Sequence, residues 1–125
     1  MRKLLNNLKS TKAIGDKYEQ VAQHFLSQEN VTFISHNYHS KAGEIDLIGL
    51  KDNILIFFEV RARSNIQHGL PEETITHKKQ ERIRRTASKF LQTNTQYRNT
   101  LCRFDVISIT YSETDHAINW IKNAF

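Results

Sequence analysis

Two hydrophobic periods run along the chain. Over residues 12–28, Ile14, Tyr18, Val21, Ala22, Phe25 and Leu26 recur at steps of three and four, which gathers them on one face of a helix. "NVTFISHNY" (30–38) is then rich in β-branched and aromatic residues and predicts a strand. "GEIDLIGL" and "NILIFFEVRA" predict two more, and Asp52-Asn53 between them tolerates the positive φ of a two-residue hairpin turn. A second helix is expected over about 75–92, with Pro71 just before it and Glu72 and Glu73 suited to its start. "LCRFDVISITY" (101–111) and "AINWIKNAF" (117–125) predict two further extended stretches.

The order helix, three strands, helix, two strands predicts an α/β (α+β) domain with a mixed central sheet of about five strands flanked by helices. The 125 residues fit a single domain with one core, and four Gly and one Pro leave little punctuation to divide it. Residues 1–10 read as a flexible basic lead-in.

The strand period raises a chemical question. Glu44, Asp46 and Glu59 fall in the most apolar part of the sequence, and a carboxylate taken out of water costs several kcal/mol unless something positive meets it. Alternation puts Glu44, Asp46 and Ile48 on one face and Phe57, Glu59 and Arg61 on one face. With Asp52-Asn53 as the turn, Lys51 pairs with Ile54 and Asp46 falls opposite Glu59, where like charges repel unless a cation or a proton joins them. Two carboxylates plus water suit Mg²⁺ or Mn²⁺, and Arg61 would point at the same place to hold a phosphate oxygen. The plainer alternative is a half-exposed strand on which Glu59 and Arg61 form a surface pair.

Charge adds a partner. Eighteen Lys and Arg against thirteen Asp and Glu leave a net charge of +5, which favours an anionic partner, nucleic acid first. On the second helix Lys78, Arg82, Arg85 and Lys89 fall within an arc of about 60°. This is a stripe suited to phosphate backbone, or simply a solvated face. No apolar run approaches the roughly 20 residues of a membrane span. "MRKLLNNLKSTK" lacks a signal peptide's apolar core, and the single Cys102 excludes an internal disulfide, so a cytoplasmic protein is expected. Cys102, at the start of a strand, is expected to be small and buried. Arg103 and Asp105 are expected to pair, and Trp120 and Phe125 to serve core or interface. His36 and His39 lack a third zinc ligand.

"GEIDLI" followed by "FFEVRARS" resembles the signature of the YraN-like bacterial proteins, which are assigned to the PD-(D/E)XK nuclease superfamily. "GDKYEQVAQHFL", "GLPEETITHKKQERIRRTASKFL", "CRFDVISI" and "INWIKNAF" extend the likeness over nearly the whole chain. The resemblance implies a restriction-endonuclease-like core shared with Holliday-junction resolvases. It also implies a metal-dependent endonuclease, or a nuclease-like nucleic-acid-binding protein, acting on DNA, with branched forms as candidate substrates. The superfamily's metal-binding acids fall on Asp46 and Glu59, with the Val60 carbonyl and the first-helix Glu19 as further ligands, while Glu44 assists or caps its strand. Gln80 is similar to a helix glutamine that helps orient such sites. The resolvase likeness also implies a homodimer. One position departs from the pattern: the Lys of ExK is Arg61, which stays protonated and cannot act as a base. Lys79 is the candidate for the missing ammonium, and Arg63 for a backbone contact. The alternative is a non-catalytic nucleic-acid-binding module with a degenerate nuclease site.

Overall fold

The structure is a computed structural model that describes residues 2–64 and 75–125, with side chains from residue 12 onward. Helix α1 (Arg2–Gln28) leads into β1 (Thr32–Ser40), β2 (Gly43–Lys51) and β3 (Ile54–Ser64). Then follow α2 (His77–Thr93), a short 3₁₀ turn, β4 (Leu101–Tyr111) and β5 (His116–Ile121). The five strands form one mixed sheet in the order β1-β2-β3-β4-β5. Only β3 and β4 are parallel, as expected of strands joined through a helix.

The expected α+β architecture is present. The Asp52-Asn53 turn has φ of 51° and 63° and sets Lys51 opposite Ile54, as its residue types predict. Helix α2 opens on Thr76, whose hydroxyl accepts the Lys79 N–H at 3.1 Å. Pro71, Glu72 and Glu73 lie outside the described residues. Helix α1 begins some ten residues before the predicted start. The stretch read as a lead-in continues the helix, since its Leu, Lys and Arg are good helix formers and no Gly or Pro interrupts them.

β3 alternates cleanly between two cores. Ile56 and Phe58 face α1, where Tyr18, Ala22 and Leu26 meet Leu47, Ile107 and Ile109. Leu55 and Phe57 face α2, where Ile83, Ala87 and Phe90 meet Ile45 and Ile48. Burial of each such side chain is worth about 1.5–3 kcal/mol, which holds both helices to a rigid sheet. Gly49 is required where β2 passes the end of α1: a Cβ there would lie 2.6 Å from Val31 Cγ1.

Trp120 packs in the α1-side core, and Phe125 stacks on Phe104 with ring centroids 5.2 Å apart. Cys102 corrects its expectation: it is exposed, because β4 enters the core only from Asp105 onward.

Candidate carboxylate site at the fork of β2 and β3

β2 and β3 pair from the turn up to Leu47 opposite Phe58. Beyond that pair the Asp46 carboxylate takes over, and its Oδ2 accepts the Val60 N–H at 2.8 Å. In an extended strand one residue's N–H and C=O lie on the same edge, so the Val60 carbonyl also turns toward β2. Glu59, the next residue back, is buried on the α2 face.

Alternation fails at Asp46, which corrects the expectation that Glu44, Asp46 and Ile48 share a face. Ile45 and Ile48 both join the α2-side core while Leu47 joins the other. The matching irregularity on β1 is Asn37, which lies between the pairs His36–Leu47 and Tyr38–Ile45 with φ 51°. Asn adopts this left-handed conformation more readily than most residues. Asp46 consequently borders two clefts. The α1-side cleft, about 1060 Å³, is bounded by Tyr18, Glu19, Asn37, Glu44 and Tyr111 among others. The α2-side cleft, about 250 Å³, is bounded by Gly43, Glu44, Glu59, Lys79 and Arg82. Gly43, at φ 155°, brings the start of β2 against α2, where an added Cβ would lie 3.3 Å from Thr86 Oγ1.

The structure brings Lys79 into this site. Its Nζ lies 2.5 Å from Glu59 Oε1, so α2 supplies an ammonium to the carboxylate of β3. Gln80 is engaged elsewhere, its amide donating to the Ile75 carbonyl at 3.2 Å. Arg61 and Arg63 continue the Glu59 face of β3, half-exposed. Lys78, Arg82, Arg85 and Lys89 are all exposed on α2, and Arg85 lies 3.5 Å from Glu81. Glu19 faces the site from α1. The Asn37 amide lies between Glu19 Oε1 and Glu44 Oε1, at 3.0 and 3.2 Å; both are acceptors, which assigns its nitrogen to that side as the donor to each. Asn37 was missed from sequence, although an Asn inside a strand pattern is itself a signal of local irregularity. His39 lies 3.6 Å from Glu44 and His36 is exposed.

The electrostatics follow from this crowding. Burial, then the Glu59 charge, push the Asp46 carboxyl up to about 8, with Glu19 adding to the effect and the Val60 N–H and Lys79 opposing it. Glu19 is raised as well, by burial first and then by Glu44 and Asp16. The donors are hard oxygens of the kind Mg²⁺ or Mn²⁺ takes: Asp46, Glu59 and the Val60 carbonyl, with Glu19 nearby. Among the described residues no three His, Cys, Asp or Glu side chains converge on one point. A cation held here would have to take most of its ligands from water.

A stability prediction arises here. Asp46 ionises near 8 in the folded chain but near its ordinary 3.8 when unfolded, so between these values the native state holds a proton that the unfolded state has lost. The stability tied to that proton is complete below about pH 4 and is lost as pH rises through about 8. Asp46→Asn keeps an acceptor for Val60 without a charge. It is expected to flatten the dependence and to exceed the parent protein's stability above pH 8. Thermal unfolding from pH 4 to 9 measures this, and parallel profiles for the two proteins would refute it.

No described helix is long and apolar enough to cross a membrane. Comparison with known proteins adds kinship. The chain is 42% identical over 113 residues to a UPF0102 protein of Francisella tularensis subsp. novicida (strain U112), covering 90% of this chain and 93% of that one. It is 38% identical over 124 residues to a UPF0102 protein of Acinetobacter baumannii (strain AYE), with the same coverage. The family model described as "Uncharacterised protein family UPF0102" matches residues 18–109, which hold Glu19, Asn37, Asp46, Glu59 and Lys79, and the chain belongs to that family.

Proposed function

We propose that this protein is a metal-dependent phosphodiesterase of the PD-(D/E)XK type acting on nucleic acid, DNA first, in the cytoplasm. The observation that carries the reading is the Lys79 ammonium on Glu59, beside an Asp46 carboxyl that burial and the Glu59 charge hold above its ordinary range. β3 carries Arg61 where the nuclease pattern has Lys, and α2 supplies the ammonium instead. Asp46, Glu59 and the Val60 carbonyl would hold Mg²⁺ or Mn²⁺, with Glu19 nearby. A bound divalent cation supplies charge at the scissile phosphate and a more acidic water. Lys79 would donate to a phosphate oxygen, and Arg61 would clamp one while staying protonated. Arg82 lines the mouth of the α2-side cleft, and the stripe from Lys78 to Lys89 leads away from it along the helix.

A second reading has its own support. Lys79 already neutralises Glu59 and no three ligands converge among the described residues, as suits a nucleic-acid-binding module whose nuclease site has degenerated. The discriminating experiment is cleavage of end-labelled four-way-junction, flap, single-stranded and duplex DNA with Mg²⁺ or Mn²⁺. Cleavage dependent on Asp46 and Glu59 supports the enzyme. Binding without cleavage in either metal selects the module, and neither binding nor cleavage defeats both readings. A preference for the junction, with two copies of the chain bound, would bear out the branched-DNA substrate and the homodimer.

The stripe makes a separate prediction. Replacing Lys78, Arg82, Arg85 and Lys89 with Gln should weaken binding to all sequences alike. It should also flatten the plot of log affinity against log salt by about 0.9 for each duplex phosphate that is no longer neutralised. Fluorescence anisotropy across a salt series measures this, and an unchanged slope would remove the stripe from the interface.

A further inference from the structure

Asn37 combines three features that a solvent-facing strand residue does not need together. Its backbone is left-handed in the middle of β1, it lies opposite the point where β2 loses its alternation, and its amide reaches acids on two other elements. An NH₂ group has two protons, and here each has its own acceptor: Glu19 Oε1 from α1 at 3.0 Å and Glu44 Oε1 from β2 at 3.2 Å. The opposite amide orientation would set its oxygen against acceptors only. Left to themselves, two carboxylates on the wall of one cleft repel and turn apart. A neutral double donor between them keeps both charges facing the cleft without neutralising either. A Lys or Arg in this place would bind the same acids but would cancel their charge.

We infer that Asn37 is a positioning residue, which clasps Glu19 and Glu44 together on the α1 side of Asp46 so that their negative charge is presented to a cation held there. This rests on the metal-site reading above and extends it to a residue with no ligand role of its own. The left-handed backbone explains the residue type: Asn and Asp adopt it readily and Gly at no steric cost, but only Asn brings two side-chain donors.

The test uses the full chain and Mn²⁺ alone, followed by calorimetry. Asn37→Gly keeps the backbone conformation and deletes the amide, and it should weaken Mn²⁺ binding by about 10-fold, the lower end for loss of a supporting hydrogen bond at a metal site. In a Glu19→Gln/Glu44→Gln background the same substitution should cost nothing, because the acids it acts through are gone. An equal loss in both backgrounds, or no loss in either, overturns the inference. Parent protein that binds no Mn²⁺ in an Asp46-dependent way overturns the metal reading itself, and the positioning role with it. A second measurement does not depend on Asn37→Gly folding. The side-chain amide resonances of Asn37 should move on Glu19→Gln and on Glu44→Gln, and resonances indifferent to both would refute the clasp.

Discussion

Asp46→Ala is expected to reduce DNA cleavage by at least about 100-fold while leaving DNA binding intact or slightly tighter. The substitution removes the carboxylate that two clefts share and that accepts the Val60 N–H. Loss of one preorganised charge-stabilising group typically costs 10²–10³ in rate, or about 3–4 kcal/mol. On the proposed reading binding should survive, because the basic stripe lies on another element and one fewer negative charge would meet the phosphates. Glu59→Ala should match it in cleavage and also release Lys79. Lys79→Ala and Arg61→Ala then separate two roles. If α2 supplies the working ammonium, Lys79→Ala falls nearly as far as Asp46→Ala, while Arg61→Ala loses chiefly substrate affinity. The measurement is single-turnover cleavage by each variant, with binding followed in parallel. Equal rates for Asp46→Ala and its parent would sink the enzyme reading and leave the binding module.

The site was legible from sequence where local rules governed it and obscure where tertiary context did. Asp52-Asn53 announced its turn because positive φ is a local property, and the turn set the register as far as Leu47 opposite Phe58, one residue short of the expected Asp46–Glu59 pair. The faces of β3 followed from a period of two because nothing interrupts that strand. The break at Asp46 was hidden, since it depends on a left-handed residue nine positions earlier on the neighbouring strand. Lys79 stood out as a candidate on α2, but its reach to Glu59 depends on how α2 seats against β2, through Gly43 and Thr86. Gln80, adjacent and equally suited by type, turns instead to Ile75. Cys102 misled because a strand's first residues need not be in the core that its middle builds.

Asp105→Ala is expected to destabilise the fold by about 3–5 kcal/mol, and the contrast with Asp46 shows why buried acids of one residue type differ in role. Asp105 is fully buried, as deep as any residue of the core. Four N–H groups converge on it. Arg103 gives Nε at 2.8 Å and Nη2 at 2.9 Å, Trp120 gives Nε1 at 2.8 Å, and the Asn123 N–H arrives at 2.9 Å. The carboxylate thereby ties β4 to β5 and to the C-terminal turn. Removing it leaves a largely buried guanidinium, an indole N–H and a main-chain N–H without their partner, the situation in which breaking a buried pair is most costly. Urea unfolding of Asp105→Ala measures the loss, and one under about 1 kcal/mol would refute the network. Asp46→Asn should do the reverse, exceeding the parent's stability above pH 8 because its own dependence on pH is flattened. An acid met by several donors holds the fold together, whereas Asp46, with one main-chain donor and the Glu59 and Glu19 charges beside it, is held in place at the fold's expense.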